Sequence, residues 1–146
     1  LVAGYEAPVD IAWSHKNRSP MIRIPDRRGV GTRVEFRMPD PSCNPYLALA
    51  AQLAAGLDGI RNEIDPGPPM DVNVWNLTDA EREDHKLESL PANLGEAIGE
   101  LENSSFMRAT LGDHVFENFV SAKKQEWEEY ISQVTNWEVE RYLTSY

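Results

Sequence analysis

Apolar and polar residues alternate over short runs in the first forty positions, and the rest of the chain shifts to a helical period. Val9, Ile11 and Trp13 alternate with Asp10 and Ala12, which predicts a half-buried strand with its apolar set on one face. Ile22 and Ile24 flank Arg23 in the same way until Pro25 closes the run. Arg33-Val34-Glu35-Phe36-Arg37 alternates strictly and stops at Pro39-Asp40-Pro41. Between these runs, Arg27-Arg28-Gly29-Val30-Gly31 reads as a loop.

Helices dominate from Asn44 onward. Asn44 followed by Pro45 supplies a side-chain cap and then a proline at the first helical position. The run from Tyr46 to Ile60 is apolar almost all round, which predicts a helix buried on most sides. Asp65 to Pro69 breaks the chain into a loop. Thr78 with Glu81 predicts a capping box, and Asn93 with Glu96 a similar start. Gly112 is expected to end one helix and Asp113 to cap the next. In that next helix Phe116, Phe119, Val120, Trp127, Tyr130 and Ile131 form an apolar stripe that reads as core packing. Asn136 is expected to cap a last helix through Tyr142. The fold class is α+β, with a few-stranded antiparallel sheet in a strand-rich wall over 1–43 and a helical region over 44–146.

Length and charge narrow the function. At 146 residues the chain is one modest domain or a piece of a larger one. Its net charge of −10 is unevenly spread. Residues 1–61 carry eight Lys/Arg against six Asp/Glu, and residues 62–146 carry six against eighteen. That balance argues against nucleic-acid binding, which needs a basic footprint, and directs the search for anion binding to the first part. No apolar run approaches the roughly 20 residues of a membrane helix, and no targeting or lipidation motif is read. The single cysteine, Cys43, reads as a small core residue, and its solitude fits a reducing cytoplasm. His15, His85 and His114 have no ligand spacing to one another. A chain that begins at Leu1 instead of Met is expected to be a fragment.

Candidate chemistry centres on the strand at Arg33–Arg37. Side chains two apart on a strand share a face at about 6.6 Å spacing, so Arg33, Glu35 and Arg37 project together while Val34 and Phe36 face a core. The charged side meets solvent, a polar cleft or a partner. Arg18, Arg23, Arg33 and Arg37 fall within twenty residues, and arginine is the residue for bidentate contact with phosphate and carboxylate. A carboxylate between two guanidiniums stays ionised and suits a hard cation such as Mg²⁺ or Mn²⁺. This is the composition of a phosphoryl-transfer site, although no Walker-type loop is present.

Several linked motifs then point one way. "GYEAP" at Gly4–Pro8, "NRSP" at Asn17–Pro20, "IRIP" at Ile22–Pro25 and the stretch from Arg33 to Ile60 occur in this order. Together they resemble prokaryotic type I glutamine synthetases, with a C-terminus similar to the Gram-positive-type subfamily. The resemblance implies a ligase that makes glutamine from L-glutamate, ammonia and ATP through γ-glutamyl phosphate, with Mg²⁺ or Mn²⁺, in a homo-oligomer expected to be a dodecamer. Glu6 matches the flap glutamate that closes the site and helps deprotonate ammonium. Arg18 matches the arginine that neutralises the transferring phosphoryl group, and Arg23 and Arg33 match ATP-phosphate contacts. Glu35 matches a metal ligand and Arg37 a contact to glutamate. Trp75 stands where the enteric subfamily carries an adenylylated tyrosine, so that control is expected to be absent. The segment Trp137–Tyr146 is read as an assembly element.

Glu35 by itself does not hold a divalent cation, which takes six or more oxygen ligands. The purified 146-residue chain is therefore expected to form no glutamine from glutamate, ammonia and ATP. Measurable product above a protein-free control would refute this.

Overall fold

A computed structural model describes residues 7–143. Three two-residue strands, β1 (Trp13–Ser14), β2 (Ile22–Arg23) and β3 (Glu35–Phe36), form one small sheet in the order β1-β2-β3. Helices follow: α1 (Pro45–Arg61), α2 (Asp79–Asp84), α3 (Leu94–Asn103), α4 (Ser105–Leu111), α5 (Asp113–Ile131) and α6 (Asn136–Tyr142). The α+β class holds, but the sheet is mixed where an antiparallel one was expected: β1 runs parallel to β2, and only β2 and β3 are antiparallel. Residues 15–21 connect the two parallel strands.

Residues 9–19 do not pair with a strand of their own length. They are strapped instead by the segment from 67 to 90. Leu90 N donates to Val9 O at 2.8 Å and Ile11 N to Glu88 O at 2.9 Å. Met70 N donates to Trp13 O at 2.7 Å, and Trp13 Nε1 to Gly67 O at 3.0 Å. Val74, itself fully buried, donates its N–H to Ser19 Oγ at 3.1 Å.

The anchor of this strap is polar and reverses an expected alternation. Asp10 is fully buried while Ile11 is 43% exposed, the opposite of the apolar-inward pattern predicted for Val9, Ile11 and Trp13. Arg82 on α2 is the cause. Its Nη2 pairs with Asp10 Oδ1, its Nη1 lies 3.4 Å from Oδ2, and Ser89 Oγ donates to Oδ1 at 3.2 Å. A buried carboxylate left unpaired costs several kcal/mol, so the ion pair and not the apolar count sets which face turns inward.

The apolar core sits apart, in the helices. Ile98 on α3 and Phe116 and Val120 on α5 are buried, with Leu94, Leu101, Met107, Leu111 and Trp127 packed around them. The α3–α5 crossing is close: a Cβ added to Gly95 would lie 2.7 Å from Trp127 Cε2. Of the expected stripe, Phe116 and Val120 are core, whereas Tyr130 and Ile131 are 66% and 59% exposed at the far end of α5.

Caps fall largely where the sequence puts them. Asn44 Oδ1 accepts from Tyr46 N and Leu47 N, and Thr78 with Glu81 closes a full capping box. Asn93 likewise caps α3 by accepting from Glu96 N. Two expected caps shift by one residue. Gly112 (φ 74°) is both the end of α4 and the cap of α5, leaving Asp113 to pair with Arg108. Thr135, not Asn136, caps α6 through a box with Glu138. Two burial expectations fail. No α1 residue is buried, and Tyr46, Leu49, Leu53 and Ile60 are 65% or more exposed, because among the described residues α4 is the main helix packed against α1. Cys43, expected in the core, is exposed in the turn before α1.

Phe116→Ala is expected to destabilise the chain by roughly 3–5 kcal/mol through the cavity left among α3, α4 and α5. A urea-denaturation midpoint shift worth less than about 1 kcal/mol would contradict the placement of the core.

Candidate active site

The sheet register builds the site. Arg23 on β2 stands opposite Glu35 on β3, so the two side chains share a face. Arg23 Nη1 donates to Glu35 Oε2 at 2.7 Å, and Arg23 Nε donates to the Lys16 carbonyl at 3.1 Å. From the same side Arg33 Nε donates to Glu35 Oε1 at 2.9 Å, with Nη2 on the same oxygen, and Arg33 Nη1 reaches Gly31 O at 3.2 Å. The sheet face therefore carries an Arg23–Glu35–Arg33 row built across β2 and β3, whereas the alternation predicted Arg33, Glu35 and Arg37 along one strand. Hydrogen bonds from Arg23 and then Arg33 hold the Glu35 carboxyl below its ordinary range, against a smaller opposing effect of burial.

Of the remaining predicted residues, the structure describes Arg18 and Arg37. Arg18 is exposed in the β1–β2 loop. Its neighbours fix its backbone: Asn17 Nδ2 donates to Val72 O, and Ser19 N donates to Asn17 Oδ1 at 3.0 Å. Arg37 continues β3 beyond Phe36, donating its N–H to Met21 O at 3.0 Å, and its side chain is half-buried. Glu6 lies outside the described residues. The structure thus brings Arg23, Arg33 and Glu35 into direct contact. No bond joins Arg18 to them. Val34, behind the row, is 62% exposed instead of covered, and borders an apolar hollow of about 400 Å³ with Ile11, Trp13, Ile22 and Ile24.

Glu35 offers one ionised carboxylate, and both of its oxygens already accept from arginines. Among the described residues no group of three or more His, Cys, Asp or Glu side chains comes together to hold a metal. His15 instead pairs with Asp71 at 3.4 Å, and His114 sits on α5 beside Asn118. Trp75 turns its indole N–H into the fold, where it meets no hydrogen-bond partner among the described residues.

The "Glutamine synthetase, catalytic domain" family model matches residues 1–142. The chain belongs to the glutamine synthetase family. It is 57% identical to the glutamine synthetase of Methanosarcina mazei over 99% of its own length and 54% identical to that of Thermus thermophilus over all of it. These matches cover 32% and 33% of the relatives, so the chain spans about a third of their length. Among solved structures it is similar to the GmaS/ADP complex in its conformation 1, with a TM-score of 0.81 and 39% identity over 94% of this chain and 30% of that one. A glutamine synthetase family fold thus underlies both the small sheet and the helical region. Among the described residues no helix is long and apolar enough to cross a membrane.

What sequence reasoning missed is the buried Asp10–Arg82 pair. A lone Asp inside an apolar run was its only trace, and nothing local connects it to a partner 72 positions away.

Because Glu35 is held below its ordinary range, the folded chain binds fewer protons there than the unfolded chain does. Its stabilising contribution is complete above the unfolded-state pKa and is lost as pH falls through the lower folded-state value. The difference in urea midpoint between the parent chain and Glu35→Gln should therefore shrink on acidification below the ordinary glutamate range. A difference independent of pH would refute the row.

Proposed function

We propose that the protein this chain belongs to is a glutamate–ammonia ligase. In it the γ-carboxylate of L-glutamate attacks the γ-phosphorus of ATP and ADP leaves. Ammonia then attacks the γ-carbonyl carbon of γ-glutamyl phosphate, and phosphate leaves to give glutamine. The observation that carries this reading is an ionised carboxylate bonded between two arginines on one face of the sheet, in a chain of the glutamine synthetase family.

Each residue acts through its own geometry. Arg23 and Arg33 meet the ATP phosphates. Their guanidiniums are already aligned by the carbonyls of Lys16 and Gly31, so binding orders them at little further entropic cost. Arg18, exposed on a loop pinned at Asn17 and Ser19, neutralises the phosphoryl group in transfer. Arg37 binds the substrate glutamate. Glu6 closes over the acyl phosphate, takes a proton from ammonium and keeps water out. Glu35 would contribute one carboxylate oxygen to Mg²⁺ or Mn²⁺, which would supply positive charge to the phosphates. Support for a nucleotide also comes from the similar GmaS chain, which is an ADP complex.

The exposed Trp137, Tyr142 and Leu143 near the C-terminus support a role for α6 in a homo-oligomer, taken as a dodecamer working in the cytoplasm. Two other readings share parts of this chain. A ligase joining glutamate to another amine would use the same arginines and differ at an amine pocket beyond them. A non-catalytic acidic module would keep only the fold.

Calorimetric titration of the full-length protein with ATP and Mn²⁺ separates these classes. Arg23→Ala is expected to weaken nucleotide binding roughly tenfold or more, the value of a charge-assisted hydrogen bond. An unchanged affinity would overturn the catalytic reading in favour of the module.

A further inference from the structure

We propose that Asn17 is a positioning residue, which ties the loop carrying Arg18 to the strap and so holds that arginine in a fixed relation to Arg23. The inference rests on the ligase reading and deepens it. Asn17 is given no contact with substrate; it acts through the residue that follows it.

The loop between β1 and β2 is bonded on both sides of Arg18. Asn17 Nδ2 donates to Val72 O, and its Oδ1 accepts from Ser19 N at 3.0 Å. Its backbone carbonyl accepts from the Ser14 hydroxyl at 2.9 Å. Ser14 is fully buried and Ser19 is 1% exposed. Ser19 Oγ in turn accepts from Val74 N at 3.1 Å. Both chain neighbours of Arg18 are thus bonded to the strap, whereas Arg18 itself is exposed.

The same loop reaches the charged row. Arg23 Nε donates to Lys16 O at 3.1 Å while Arg23 Nη1 holds Glu35. Arg18 stands two residues beyond that carbonyl, within about 7 Å of chain. At the near end of the loop, His15 N donates to Asp71 Oδ1 at 3.0 Å. One arginine is therefore set by the row and the other by the strap, with residues 16–18 as the link between them.

An amide suits this place chemically. It offers a donor to the Val72 carbonyl and an acceptor to the Ser19 N–H at once. A carboxylate has no donor, and a serine hydroxyl ends one bond short of the amide nitrogen. A long guanidinium on a fixed backbone loses less freedom on meeting a phosphoryl group than one on a wandering loop. Small misplacements of such a group cost large factors in rate.

The test is kcat for glutamine formation by the full-length protein, expressed per nucleotide site. The sites in each preparation are counted from its calorimetric stoichiometry for ADP, so a lowered folded fraction cancels. Asn17→Ala should reduce kcat per site by roughly tenfold or more. The KM for ATP should change by less than about threefold, because Arg23 and Arg33 keep their carbonyl and Glu35 bonds. A purely structural role lowers the number of sites and leaves kcat per site unchanged; that result overturns the inference. If Asn17→Ala fails to fold, Asn17→Ser keeps an oxygen for the turn at Ser19 and gives up the strap bond, and its kcat per site decides in the same way. In an Arg18→Ala background, Asn17→Ala should add less than about twofold, since the two act as one unit; a full further loss there would also overturn it. Arg18→Ala by itself keeps the two readings separable. If Arg18→Ala leaves kcat per site intact, or the unaltered protein forms no glutamine, the ligase reading fails at this residue and the inference with it. If Arg18→Ala lowers kcat per site while the Asn17 variants do not, the positioning inference alone fails.

Discussion

A carboxylate that has left water must find its countercharge, and in this protein that requirement organises the first half of the fold. Asp10 is fully buried, and its partner Arg82 comes from a helix 72 positions away. Once α2 sits where Arg82 can reach Asp10, residues 88–90 lie against Val9 and Ile11, and residues 67–74 lie along Trp13 to Ser19. Strands of two residues are too short to hold a sheet by their ladder bonds alone. The strap supplies further partners for β1 and the residues on either side of it.

The charged face of that sheet is built on the same economy of conformational freedom. Arg23 and Arg33 each bond a backbone carbonyl as well as Glu35. The row is thus oriented before any ligand arrives, and hydrogen bonds from Arg23 and Arg33 hold the Glu35 carboxyl below its ordinary range. The helical region contributes differently. Its core of Ile98, Phe116 and Val120 packs α3, α4 and α5 together and leaves one side of α1 and the end of α6 apolar and exposed. A face of this kind is normal for a chain that spans about a third of its relatives' length.

Local signals were legible because their physics is local. A cap needs only a side-chain oxygen and N–H groups two or three residues on, so Asn44, Thr78 and Asn93 announced their helices directly. Strict alternation at Arg33–Arg37 placed Arg33 beside Glu35 because a strand's period is a property of its own backbone. Where two local choices were nearly equivalent, the sequence misled by one residue, as at Gly112–Asp113 and Thr135–Asn136. The apolar run of α1 was read as buried, since periodicity reports what a helix is able to bury and not what is present to cover it.

The sequence by itself determined the element types, the alternation that sets Arg33 and Glu35 on the same side of one strand and, through linked motifs, the family. Tertiary structure alone decided that Asp10 turns inward and Ile11 outward, that β1 runs parallel to β2, and that Arg23 joins Arg33 on Glu35. The physical reason is range. Helix caps and strand faces are settled within a few residues, whereas the desolvation of a charge is settled by whichever partner the folded chain brings to it, however distant in sequence.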